Sequence, residues 1–238
     1  MSQVFNTNYG SLCLSFAGGF CDAVTFVMVT EMFSVHVTGN FIEFSGSLIL
    51  GADNEAWSKL LVFPVFVIAV MIGGAMLAVG TKPFKVLITE AVILAFCALL
   101  SFLGWFYHYQ TPRQNYLLAL CIVFAMGLQN AFGKVFSKNL YGATTVMTGN
   151  VAQLSLDLVH CLFLKPGDSE HLKSLKQNLI TVSGFLSGAL AGTLGAKIFG
   201  IGAVVVPSVM LFGFSLTGMV NASKARSGNE MQVMPDGV

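Results

Sequence analysis

The chain has 238 residues, of which 55% are hydrophobic and only 10% charged, with a net charge of +1 and a mean hydropathy of +0.78. A charged fraction so far below the ~25% usual in soluble domains excludes an ordinary water-soluble fold. The near-zero net charge gives no footing for nucleic acid or an acidic partner.

The first residues, Met1-Ser-Gln-Val-Phe-Asn-Thr-Asn8, lack the basic region and cleavage site of a signal peptide, so the first crossing is expected to act as its own insertion signal. Apolar runs with no charge cover Leu60–Thr81, Ala91–Pro112, Gln114–Gly133, Gln177–Ala196 and Ile198–Ser223, and Leu12–Thr30 is broken only by Asp22. Each approaches or exceeds the ~20 residues that cross the hydrocarbon core of a bilayer. Helices are therefore predicted over about residues 11–30, 59–80, 84–106, 115–133, 176–197 and 200–221, with residues 224–238 as a polar, disordered cytoplasmic tail. The five cysteines (Cys13, Cys21, Cys97, Cys121, Cys161) are scattered through apolar runs without a C-x-x-C pair. They read as small packing residues rather than as disulfides or metal ligands.

One stretch occurs twice. Ser34-Val-His-Val-Thr-Gly-Asn-Phe-Ile-Glu-Phe-Ser-Gly-Ser-Leu48 returns 110 positions later as Thr144-Thr-Val-Met-Thr-Gly-Asn-Val-Ala-Gln-Leu-Ser-Leu-Asp-Leu158, with five of fifteen positions identical. Upstream, Gly19-Phe-Cys-Asp-Ala23 answers Gly127-Leu-Gln-Asn-Ala131. The chain thus reads as one membrane domain of two related halves, about residues 11–107 and 115–221. If each repeated segment enters the membrane and returns, six crossings remain and both termini face the cytoplasm. Nine Lys and Arg then lie inside against three outside (Lys59, Arg113, Lys197), a stronger bias than the seven to five of an eight-crossing arrangement. Three crossings per half invert the second half relative to the first, a plan that recurs among secondary transporters with the site at the repeat interface.

Glycine, asparagine and threonine all disfavour a helix interior. Thr38-Gly39-Asn40 and Thr148-Gly149-Asn150 therefore predict breaks followed by short helices. Asn40 or Thr38, and Asn150 or Thr148, are the expected N-caps, with Glu43 and Gln153 in the reciprocal position of a capping box. The first short helix should end by Gly51. Two helix starts facing one another would offer free N–H groups to an anionic or polar solute. Asp22 lies within the first crossing, where a carboxylate costs about +2.5 to +3.5 kcal/mol and needs a partner, water or a proton. Asn130 and Thr25 are its expected partners. The counterpart of Asp22 in the second half is the neutral Asn130, beside Gln129, so Asp22 is the candidate proton carrier and Glu43 a second. His36 reads as a polar loop residue, Glu90 as snorkelling to the interface near Lys85, and Asp157 with His160 as a weak pair on one helix face.

The small-residue ridge Gly184, Gly188 and Gly192 permits close helix packing, within one chain or between two copies. No G-x-S-x-G, H-E-x-x-H, Walker loop or metal-ligand spacing occurs, so neither an enzyme nor a cofactor is expected.

With Gly19, Asp22 and Ala23 ahead of Thr38-Gly39-Asn40, and Gly127–Ala131, Thr144-Thr145 and Thr148-Gly149-Asn150 in the second half, the chain resembles the YoaK-like family of small multi-pass bacterial membrane proteins, a domain of unknown function. The family often carries Arg soon after the Gln-Asn-Ala stretch, where this chain has Lys134, which lacks the bidentate fork of Arg. The resemblance implies a bacterial inner membrane. Residues and resemblance together lead to an expected secondary transporter of a small polar or anionic solute. Its site residues would be Asp22, Thr38, Gly39, Asn40, Gln129, Asn130, Thr148, Gly149 and Asn150. The alternatives are a passive channel of the same architecture and a non-transporting scaffold or assembly factor for membrane partners.

Overall fold

A computed structural model describes residues 7–29, 31–51, 56–80, 83–108, 110–137 and 147–232, of which residues 7 and 222–232 are described by their backbone alone. Among the described residues, eight α-helices follow one another: α1 (Thr7–Met28), α2 (Gly39–Leu50), α3 (Ala56–Ala78), α4 (Pro83–Phe106), α5 (Pro112–Val135), α6 (Met147–Val159), α7 (Ser169–Phe199) and α8 (Val205–Gln232). A π-turn, His160–Leu164, continues α6, and a 3-10 turn, Gly200–Val204, joins α7 to α8. No strand occurs among the described residues.

The helix ends follow local chemistry. Pro112 opens α5 with its fixed φ, while the Thr111 hydroxyl accepts the Gln114 N–H at 3.2 Å. Asp168 caps α7 by accepting the Glu170 N–H at 3.0 Å, which starts that helix seven residues ahead of the expected position 176. Gly51, with φ 66°, closes α2 in the left-handed conformation that glycine adopts without strain. The expected disordered tail is corrected in part: α8 runs on as helix to Gln232.

Among the described residues, five helical segments are long and apolar enough to cross a membrane: Asn8–Met28, Ala56–Ala78, Pro83–Phe106, Pro112–Val135 and Ser169–Asn221, the last containing α7 and most of α8. With 12 residues at ~1.5 Å each, α2 reaches ~18 Å and is too short to span the ~30 Å core. α6 is nearly as short, at 13 residues, before its five-residue π-turn.

The tightest seam lies between α1 and α7. A Cβ at Gly188 or Gly184 would overlap the Phe16 carbonyl or the Ser15 hydroxyl, and one at Gly192 would come within 2.5 Å of the Phe20 carbonyl. Leu186, Leu190 and Leu194, on the other side of α7, are exposed. α7 thus turns its glycines to protein and its leucines outward, as a helix between a close neighbour and lipid should. Of the two uses expected for Gly184, Gly188 and Gly192, packing within one chain is the one seen here, with α1 seated on that ridge.

A second seam joins α3 to α5, where a Cβ at Gly127 would come within 2.5 Å of Ala69, and one at Gly73 within 2.8 Å of Ala131. α4 packs on α8 and α5, α8 also touches α1, α2 lies on α3, and α6 lies on α7. The core between these helices is built from residues such as Leu14, Leu87, Leu94, Ile122, Phe132 and Leu211. Cys13, Cys21 and Cys97 are buried packing residues, whereas Cys121 is exposed.

Candidate functional site

Asp22 sits in the last two turns of α1 and is 5% exposed. Past Met28 the chain unwinds, and its return path lies against Asp22. The carboxylate accepts the Val35 N–H at 2.7 Å and the His36 N–H at 3.4 Å, and its second oxygen meets His36 Nδ1 at 2.6 Å. Neither expected partner is the one used. Thr25 turns its hydroxyl to the carbonyls of Cys21 and Asp22, and Asn130 makes no bond to the Asp22 carboxylate. The hydrogen bond to Asp22 holds the His36 imidazole above its ordinary range, and burial works against this less strongly. His36, expected to be a plain loop residue, is half of a carboxylate–imidazole pair, with Phe33 and Phe185 edge-on to its ring. The signal available in the sequence was its place four residues ahead of Asn40 in a segment already expected to be broken.

Asn40 is not an N-cap. It lies one residue inside α2 and clamps the unwound strand in both directions: its carbonyl accepts the Phe33 N–H at 2.9 Å and its amide donates to the Phe33 carbonyl at 2.8 Å. Thr38 occupies the cap position but makes no side-chain cap bond. The backbone N–H groups of Gly39, Asn40 and Phe41 donate to the carbonyls of His36, Val37 and Thr38 instead. Glu43 has left the capping box for Lys59 of α3, at 3.5 Å, and Lys59 also reaches Ser47 at 3.4 Å. Lys59, expected outside the membrane, is only 7% exposed, so this pair ties α2 to α3 and gives Glu43 a structural role.

In the second half, α6 is already helical at Met147, which places Asn150 inside the helix and not at its cap. Asn150 is 8% exposed, while Thr148 and Gly149 are exposed. The Thr144, Thr145 and Val146 counterparts of the unwound strand lie outside the described residues. Gln129 donates to the Leu14 carbonyl of α1 at 2.9 Å, and its other amide atom, Oε1, is buried without a partner. Asn130 is half-buried. Because α2 packs on α3 and α6 on α7, the two Thr-Gly-Asn helices do not touch, and the solute cradle expected between Asn40 and Asn150 is not formed by contact of their starts.

Glu90 overturns its expectation outright. It does not snorkel; it is 0% exposed in α4, and both carboxyl oxygens lack a hydrogen-bond partner.

A groove of about 190 Å³ opens between α1, α7 and the unwound strand, lined by Gly19, Asp22, Ala23, Phe26, Phe33, Phe185, Ala189 and Thr193. Of the expected binding residues, Asp22 alone lines it. A second cavity, of about 260 Å³, lies between Phe102, Trp105, Gln110 and the α7 end at Ile198–Gly200.

No curated protein and no solved structure matches the chain. A family model described as protein of unknown function (DUF1275) matches residues 10–217, which takes in most of α1, both Thr-Gly-Asn helices, α7 and the first half of α8. The groove at Asp22, the clamp at Asn40 and the glycine seams all fall within that match, and the chain belongs to the DUF1275 family.

Proposed function

We propose that the protein is a secondary transporter of a small polar solute, with six crossings in two inverted halves and a proton-dependent latch at Asp22 and His36. The observation that carries the reading is a buried carboxylate, paired with a part-exposed imidazole, that binds an unwound stretch of backbone to α1 beside an open groove. Irregular backbone at membrane depth persists only where protein or a watery cavity surrounds it. Ionisable groups at such a break mark solute and proton paths.

The helix pairing supports the two-halves reading. Exchanging α1–α4 with α5–α8 turns the α1–α7 seam into the α5–α3 seam, the α2–α3 contact into α6–α7, and α4–α5 into α8–α1. Gly19 of the first half would press a Cβ within 3.0 Å of Ala189 on α7, as its counterpart Gly127 presses on α3. The solute is proposed as polar or cationic and not anionic. The N–H groups at the start of α2 are already spent, and the groove offers an aspartate and three phenylalanines. In the cycle, a proton leaving His36 weakens its pairing with Asp22 and so the hold of α1 on the unwound strand. The strand is then freed to move, and the halves rock to expose the groove to the other side. Both termini are placed in the cytoplasm and the protein in the bacterial inner membrane.

The test is proteoliposomes loaded with the pH dye pyranine, held under an imposed pH gradient and challenged with a panel of small polar and cationic metabolites. Solute-dependent proton flux in the wild type that is lost in Asp22→Asn, with both proteins folded, is the expected result. Flux unchanged in Asp22→Asn, or no flux with any compound, overturns the reading.

A further inference from the structure

Away from the groove, where α6 runs into α7, two histidines and an aspartate meet. The π-turn closes with the Lys165 N–H donating to the His160 carbonyl at 2.9 Å, and it inserts a residue that turns His160 toward the start of α7. There the rings of His160 and His171 stack with centroids 3.7 Å apart and 26° between their planes. Asp168 divides its oxygens: Oδ1 caps α7, and Oδ2 lies 3.8 Å from His160 Nε2. One donor atom from each of His160, Asp168 and His171 lies within 4.8 Å of the other two.

A second shell stands behind this group. His171 Nδ1 lies 2.9 Å from an oxygen of Asp157, itself 1% exposed, which also accepts from Gln153 Nε2 at 3.0 Å and Ser174 Oγ at 2.5 Å. The Asp157 carboxylate is placed to accept the Nδ1 proton of His171, which leaves the lone pair on Nε2, as metal-binding histidines are oriented. The sequence expectation of an Asp157–His160 pair is replaced by this arrangement, in which each aspartate serves a different histidine.

We propose that His160, His171 and Asp168 bind a divalent transition-metal cation of the zinc or nickel type, with Asp157 as the positioning residue for His171. Two imidazoles and one carboxylate suit such an ion, and leave a coordination position open. Bonds of ~2.0–2.2 Å require the donor atoms to draw in to roughly 3.3 Å of one another. A metal held there would fasten α6 to α7.

The experiment titrates Co²⁺, then competing Zn²⁺, into the full-length protein in detergent with any affinity tag removed. It reads the visible d–d bands of bound Co²⁺ and the metal-induced rise in melting temperature. One saturable equivalent per chain is expected, with bands that show nitrogen ligation. His160→Ala leaves the Asp157 bonds intact, and Asp168→Asn keeps an N-cap residue, so both variants should fold while losing binding by at least ~10-fold. Asp157→Asn should weaken binding by about 10–100-fold without changing the number of sites. His108→Ala should bind as wild type does. Absence of saturable uptake by wild type, or wild-type affinity in both His160→Ala and Asp168→Asn, overturns the proposal.

Discussion

Replacing Asp22 by alanine removes the acceptor that the unwound strand uses to reach α1, and its cost can be worked bond by bond. The Val35 N–H, 2.7 Å from the carboxylate and buried, loses its partner, and an orphaned buried donor costs ~1–3 kcal/mol. The His36 ring loses its carboxylate as well. That side chain is 36% exposed, so solvent screening limits the ion-pair share to about 1 kcal/mol or less. The expected destabilisation is about 2–4 kcal/mol. Asparagine keeps one oxygen for the Val35 N–H and an amide for the His36 ring, so Asp22→Asn should cost only about 1 kcal/mol. Reversible unfolding in mixed detergent and SDS measures both variants. Limited proteolysis between residues 29 and 38 should speed up in Asp22→Ala before the helices melt. Equal costs for alanine and asparagine, or an alanine variant as stable as wild type, would refute the account of Asp22 as a hydrogen-bond anchor for this strand.

Three further outcomes follow from other parts of the structure. Gly188→Ala drives a methyl group into the Phe16 carbonyl and should destabilise by about 1–3 kcal/mol, while Gly74→Ala, with open space around it, should be harmless in the same SDS titration. Glu90→Met replaces two unpartnered buried oxygens with an apolar chain of similar size and should raise stability by about 1–3 kcal/mol, read as a higher melting temperature. Because folding raises the His36 pKa, the stability due to its pairing is complete below the ordinary histidine value of ~6.5 and is lost as pH rises through the higher folded value. The gap in melting temperature between wild type and His36→Gln should therefore narrow as pH rises above ~6.5, and a gap that widens would contradict the pairing.

Hydropathy alone determined that the chain is helical and membrane-bound, because a ~20-residue apolar run has few other stable fates. The breaks were equally local. Thr38-Gly39-Asn40 and Gly51 bracket a 12-residue helix because glycine and asparagine act on the backbone wherever they stand. The duplicated segment and the glycine ridge were legible as well. Only the packed structure decided partners. Asn40 has the chemistry of a cap, but with α2 beginning one residue earlier it found the Phe33 backbone closer than its own helix end. Asp22 met His36, fourteen residues on, because the unwound strand folds back along α1, a path that no period in the sequence encodes. Glu90 was misread because distance from Lys85 along the chain says nothing about which face of α4 turns inward. The ridge of α7 has the same form whether it meets another chain or its own, and here α1 of the same chain is seated on it. His160, Asp168 and His171 converge only once a π-turn re-aims the first and an N-cap holds the second, so their meeting belongs to tertiary structure: propensity and hydropathy act over neighbouring residues, whereas contact between side chains depends on how whole helices are turned and seated.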